Sequence, residues 1–453
     1  MNRPTNRYSI PFVIIAMVAV GGIFMSHPPA PSAEEVNAVN AGDVAWLLSA
    51  SGLVLLMTPG LAFFYGGMVR YKNLISTLIQ NFISLGIVSI AWLFVGFSFA
   101  FGDDIGGLIG NPATFFMFDG VGLSVRPEFA AHVPFALFAM FQLKFAIITP
   151  ALITGGVAER IRFSSLMLFI VLFTLFIYSP LAHWTWHPGG FLRNWGVLDF
   201  AGGTVVHISA GFAALAGAMY LGKRDGQTGH HTPTNIPFVV IGTGLLWFGW
   251  FGFNAGSSLA ADGLAITAFV NTNFASATAM LAWVLLDGVT GRKRSVVGAC
   301  VGAVVGLVAI TPAAGFVTVG QSVFIGFVAT GVSYFAVRYK TKTGIDDTLD
   351  VFPCHGLGGI VGMILTAVFA KDVGLVYGHA STLMYHLLAL VIVSIFTFGG
   401  SYLLFMLTDY MLPLRVSPKQ ESLGLDLAQH GETATDWKER VNGAPEHTPA
   451  VSK

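Results

Sequence analysis

The sequence predicts an all-α polytopic membrane protein, and three observations carry that prediction. Of its 453 residues, 54% are hydrophobic and only 10% charged, against about 25% charged in a soluble domain, which is too few to cover a water-facing surface. Many apolar runs approach the roughly 20 residues that cross about 30 Å of hydrocarbon as a helix. They lack the short alternation of polar and apolar residues that marks a membrane β-strand. The formal net charge is zero, so nothing points to nucleic acid as a partner.

Taken in order, the chain opens with Arg3 and Arg7 ahead of an apolar run from Tyr8 to Met25, then "SHPPAPSAEE". That is the outline of a signal peptide without a clean A-x-A site, so residues 1–33 read as a cleaved leader or a retained helix. Eleven spans follow in a membrane domain, 42–410: 42–67, 74–101, 133–155, 163–182, 202–222, 237–259, 265–287, 295–313, 316–337, 352–370 and 384–410. The loops after the odd-numbered spans hold Arg70 and Lys72, Arg160 and Arg162, Lys223 and Arg224, Arg292 to Arg294, and Arg338, Lys340 and Lys342. The intervening loops hold only Arg126, Arg193 and Lys371. The positive-inside rule therefore places the mature amino terminus outside and the 411–453 tail in the cytoplasm of a cell-membrane protein. Residues 436–453 read as a disordered end.

The 54 glycines point to helices in close backbone contact. Cys300 and Cys354 lie in apolar stretches and read as small buried hydrophobes. The chain also repeats itself. "DFAGGTVVHISAGFAALAG" in the fifth span and "DVFPCHGLGGIVGMILTAVFA" in the tenth each run from Asp through His into Gly-rich helix, and "PGLAFFYGGMV" faintly matches "FGWFGFNAGSSL". Five spans per unit is an odd number, so the two copies are inverted, the arrangement of transporters with a substrate path between repeats.

His207 and His355 occupy matching places in those repeats. A lone buried histidine is most simply a packed, satisfied ring, but an intramembrane pair marks a pathway. Neutral imidazoles donate at one nitrogen and accept at the other, so two in series can pass on a proton or a polar solute. A two-histidine metal site is the rival; it lacks a third ligand, since Cys354 next to His355 is expected on another helix face. Asp199 and Asp350 head the two helices and read as N-caps, with a cation-attracting entrance field as by-product. Phe141 and Phe145 share a helix face beside Gln142, and Phe253 and Ser257 are likewise four residues apart. With Trp186 of "HWTWHPGG" they are suited to a cation vestibule, through aromatic faces and a hydroxyl acceptor. Lys144 lies mid-span without an obvious acidic partner, and snorkelling, pairing and deprotonation all stay open.

These stretches, with "FQLKFA", "GGVAERIRF", "GWFGFNAGS", "FVNT", "TPAAGFV" and the tail "LGLDLAQHGE", resemble the ammonium transporters, the Amt/Mep/Rh superfamily, and its bacterial Amt branch most. The resemblance runs from about residue 42 to 435. It implies an eleven-helix ammonium-transporter fold with inverted five-helix halves, assembled as a homotrimer with one pore per subunit. Phe141, Phe145, Trp186 and Ser257 then match the outer ammonium site, Phe145 and Phe253 the phenylalanine gate, and His207 and His355 the twin-histidine pore. Asp199 matches the family's aspartate near the pore mouth. It further implies a PII-type signal protein at the cytoplasmic face and no cofactor. Lys144 stands where relatives are often uncharged, and Thr435 where a tyrosine is expected after "HGE". The rival readings are an ammonium sensor signalling through its tail, a membrane enzyme, which lacks a nucleophile or third metal ligand, and a channel for a neutral solute.

Overall fold

The computed structural model describes residues 9–25, 30–225 and 233–434. Among the described residues, ten helices are long and apolar enough to cross a membrane: Ala41–Met68 (span one), Tyr71–Phe101 (two), Phe135–Val157 (three), Phe163–Asn194 (four), Gly203–Leu221 (five), Ile236–Ser258 (six), Gly263–Val289 (seven), Val319–Lys340 (nine), Phe352–Phe369 (ten) and Ala380–Met411 (eleven). The eighth, expected over 295–313, is the 15-residue helix Val296–Ile310. It ends early because Pro312 cannot donate an i→i−4 bond, and the chain turns there. A shorter apolar helix, Ser9–Ile23, precedes the bundle. The leader 1–33 falls partly outside the described residues, and Thr435 and the 436–453 end wholly so.

Small residues set the packing. Span six lies along span one, where a Cβ on Gly60 would stand 2.9 Å from the Leu245 Cβ. At the centre, a Cβ on Gly211 of span five would collide with the backbone of Gly356 in span ten, and one on Gly359 would stand 3.3 Å from the Cβ of His207. Only glycine permits such close crossings between membrane helices. Spans five and ten also open alike, each with a π-helical turn, Gly203–Ile208 and Phe352–Gly356, before regular helix begins.

The two ends of the bundle differ. At one end the loop between spans two and three forms two antiparallel hairpins, pairing Asp104–Ile105 with Ile109–Gly110 and Val125–Arg126 with Ala130–Pro134. At the other, the basic loops are cross-tied. Arg224 holds Asp346 through both carboxylate oxygens at 2.8 and 2.9 Å, and Glu159 at 2.6 Å; Arg70 reaches the same Glu159 at 2.7 Å. The tail docks here as well. Lys72 donates to the carbonyls of Glu421 and Ser422, and the Asp426 carboxylate accepts the N–H groups of Ile75 and Ser76.

Two tests follow. Gly211→Val should wedge spans five and ten apart, and the expected result is loss of folded protein in detergent or a fall in melting temperature of many degrees. Burial alone would raise the Asp346 carboxyl, but its hydrogen bonds to Arg224 and the nearby Arg160 charge hold it at about 2, against 3.8 ordinarily. A depressed carboxyl stabilises the fold above its ordinary value and loses that contribution as pH falls through the folded value. Melting temperature should therefore fall between pH 4 and pH 2, and Asp346→Asn should flatten that part of the pH profile.

Candidate functional site

Phe141, Phe145 and Trp186 come together at the hairpin end of the bundle. Phe141 and Phe145 meet edge to face with ring centres 4.9 Å apart, and Phe145 meets Trp186 in the same way at 5.9 Å. A Cβ on Gly256 would lie 2.9 Å from Phe141, which brings the start of the short Gly256–Ser258 turn against that ring. Ser257 is half-buried, and its hydroxyl donates to the Phe253 carbonyl at 2.8 Å, which leaves its lone pairs as acceptors. Trp186 is fixed by its own indole N–H, which donates to the Asp199 carbonyl at 3.1 Å. One turn earlier, the His183 ring spans the Ala100 carbonyl at 3.0 Å and the Asp104 carboxylate at 2.8 Å, tying the outer hairpin to this helix.

Below the vestibule, Phe145 and Phe253 overlap with ring centres 4.2 Å apart and planes inclined by 32°. Both are buried. Beneath Phe253 lies His207, 6.0 Å from it between ring centres and stacked with Trp250 at 5.4 Å. His207 and His355 face each other through their Nδ1 atoms at 3.4 Å. Both helices start inside the protein: Asp199 is 8% exposed and Asp347 not at all.

The hydrogen bonds assign the tautomers. The Thr311 hydroxyl donates its one proton to the Leu307 carbonyl at 2.8 Å and accepts the Trp250 indole N–H at 2.9 Å. It can therefore only accept from His207 Nε2, 3.3 Å away. A neutral His207 then has a lone pair on Nδ1, and His355 Nδ1–H is the donor of the shared bond. Beyond His355 is a cavity of about 10 Å³, about one water-sized probe, lined by Phe64, Tyr65, Val301, Val304, Leu349, Cys354 and His355.

The sequence reading needs correction in one place. In span five, Asp199 takes the N–H groups of Gly202, Gly203 and Thr204 at 2.6 to 2.8 Å, as a cap should. In span ten that place belongs to Asp347, which accepts from Val351 and Phe352 at 3.1 and 2.8 Å. Asp350 has φ +59° and instead pairs with Lys340 at 2.5 Å. Each capping carboxylate thus precedes its histidine by eight residues, a spacing the pairing of Asp199 with Asp350 hid. Cys354 lines the same cavity as His355. Among the described residues the one group of three ligand-type side chains is Asp104, His183 and His187, away from the histidine pair.

Trp250 and Thr311 escaped the sequence reading. Trp250 precedes Phe253 by three residues and so shares its helix face, a signal that was available; Thr311 comes from a different part of the chain and offered none. Lys144, in the same span, is half-buried, whereas Phe141 and Phe145 on either side of it are buried.

Comparison with known proteins bears on this arrangement. The model of the Ammonium Transporter Family matches residues 45–435. A putative ammonium transporter of Methanothermobacter thermautotrophicus is 46% identical over 405 residues, 87% of this chain and 98% of that protein. The crystal structure of Candida albicans Mep2 superposes with a TM-score of 0.81 at 36% identity, covering 92% of this chain and 94% of that one. A structure described as a sensor Amt protein gives 0.79 at 30% identity, with 87% and 99% covered. With a family model spanning most of its length and near full-length relatives at this identity, the chain belongs to the ammonium transporter family.

Proposed function

We propose that the chain takes up ammonium at the vestibule of Phe141, Phe145, Trp186 and Ser257, strips one proton, and conducts ammonia inward past the Phe145–Phe253 gate and along His207 and His355. One observation carries this reading: a single file runs from aromatic faces and a hydroxyl acceptor, through stacked rings, to two buried imidazoles. An intact ammonium ion would lose several kcal/mol or more on leaving water for such an interior. Without the proton most of that cost disappears, and the neutral amine can bond to each imidazole in turn. Sodium and potassium have no proton to shed, so the same barrier rejects them. The proposal includes net transfer of the proton by the histidine pair, assembly as a homotrimer, and a PII-type signal protein as cytoplasmic partner. It treats 1–33 as a signal peptide or N-terminal leader helix, 42–410 as the transport unit, and 411–453 as a cytoplasmic tail.

Proteoliposomes on a solid-supported membrane test it. An ammonium jump should give a transient current that potassium does not, and His207→Ala with His355→Ala should abolish it. Current that survives while potassium begins to pass would make the histidines a filter and remove the relay. Tight ammonium binding with no current would favour the sensor reading, which the likeness to the sensor Amt structure keeps in view.

The vestibule is tested by concentration dependence. A cation–π contact contributes about 1 kcal/mol, so Trp186→Leu should raise the half-saturating ammonium concentration roughly fivefold. Ser257→Ala should shift it in the same direction. Unchanged half-saturation in both variants would remove the recruitment step.

A further inference from the structure

Lys144 has no place in the transport path, yet an ammonium group within a membrane helix needs a partner. It continues a stripe of Leu137 and Met140 on the outward surface of span three, and it is half-buried. On another side of the molecule, span seven presents Phe269, Asn273, Phe274 and Leu281 outward, and Asn273 too is half-buried. Among the described residues neither the Lys144 ammonium nor the Asn273 amide has a hydrogen-bond or ion-pair partner. Each is a polar group left open on a face that otherwise reads as apolar.

The two groups lie at the same depth. Phe141 is level with Gly256, since a Cβ there would stand 2.9 Å from its ring. Asn254, two residues deeper on span six, donates to the Thr272 hydroxyl of span seven at 2.9 Å. At a rise of about 1.5 Å per residue, Asn273 is therefore about 4.5 Å deeper than Phe141. Lys144, three residues further along span three, is also about 4.5 Å deeper. Both odd-numbered spans run the same way across the bilayer, so both side chains tilt toward the same surface.

We infer that these faces belong together between subunits: the Lys144 ammonium of one copy donates to the Asn273 amide oxygen of the next. The occupant is a second copy of this chain because one face carries the donor and the other the acceptor, at matched depth. A contact between two different faces is heterologous, and it forms a ring of copies where the rotation between neighbours closes. The pair would satisfy a cation and an amide that lipid leaves unpaired, and would fix the vertical register of neighbouring subunits. The inference deepens the homo-oligomeric part of the reading above and is independent of what the pore carries.

Lys144→Cys and Asn273→Cys, placed together in a Cys300→Ala, Cys354→Ala background in native membranes and treated with a short bis-methanethiosulfonate, test the contact. Covalent dimers and higher species are expected. Lys144→Cys paired with Leu403→Cys, on the exposed face of span eleven, should give none. Monomer bands alone, or equal yields from the two pairs, would overturn the inference. A second measurement avoids the cysteines: Asn273→Asp should raise the temperature at which the purified oligomer dissociates, and Lys144→Glu added to it should lower that temperature below wild type. No change in either also overturns it. Both readouts report assembly alone, so a chain that cross-links as expected but carries no ammonium current would sink the transport reading and leave this contact standing.

Discussion

Two helices bring their side chains end to end across a pore only where something lets their backbones cross closely. Here that place is the contact of Gly211 with Gly356, which has no room for a Cβ. It sits a few residues from both histidines and so sets the distance between them. The π turns at both helix starts, the buried carboxylates that hold those turns, and the apolar walls from other spans are arranged around that crossing. Remove it and the imidazoles become two unrelated buried rings.

The carboxylates illustrate how one constraint propagates. A helix that starts inside a protein leaves free N–H groups in a low-dielectric setting, where each unmet donor is costly. Asp199 meets three of them and its own backbone carbonyl receives the Trp186 indole. The residue that caps span five therefore also holds the Trp186 ring in place. His386 adds to the same seat, accepting the Leu198 N–H at 2.9 Å while its other nitrogen faces the Met363 carbonyl at 3.0 Å.

Much of this was legible in the sequence, and the reasons differ by residue. Span positions followed from hydropathy, which reports a solvent constraint and needs no tertiary knowledge. Phe141 with Phe145 and Phe253 with Ser257 were visible because a four-residue spacing places side chains on one helix face. The shortened eighth span was foreshadowed by Pro312 but lay inside a continuous apolar run. Asp347 was missed because three acids crowd residues 346–350, and local pattern cannot say which one folds back onto the helix. Thr311 joins His207 and Trp250 across 104 and 61 residues of chain, and separations of that kind leave no local trace.

The Thr311 hydroxyl has a consequence for direction. With its proton committed to Leu307, the histidine pair presents an N–H toward Thr311 and keeps its free lone pair on His355 Nε2, away from His207. In that state the open acceptor is at His355, whereas the inward transfer proposed above enters at His207 and needs the opposite tautomers. Reversing both rings' tautomers requires that hydroxyl to turn from Leu307 to His207. On the relay proposed above, a single rotor about one carbon–oxygen bond would set the direction in which the pair passes a proton.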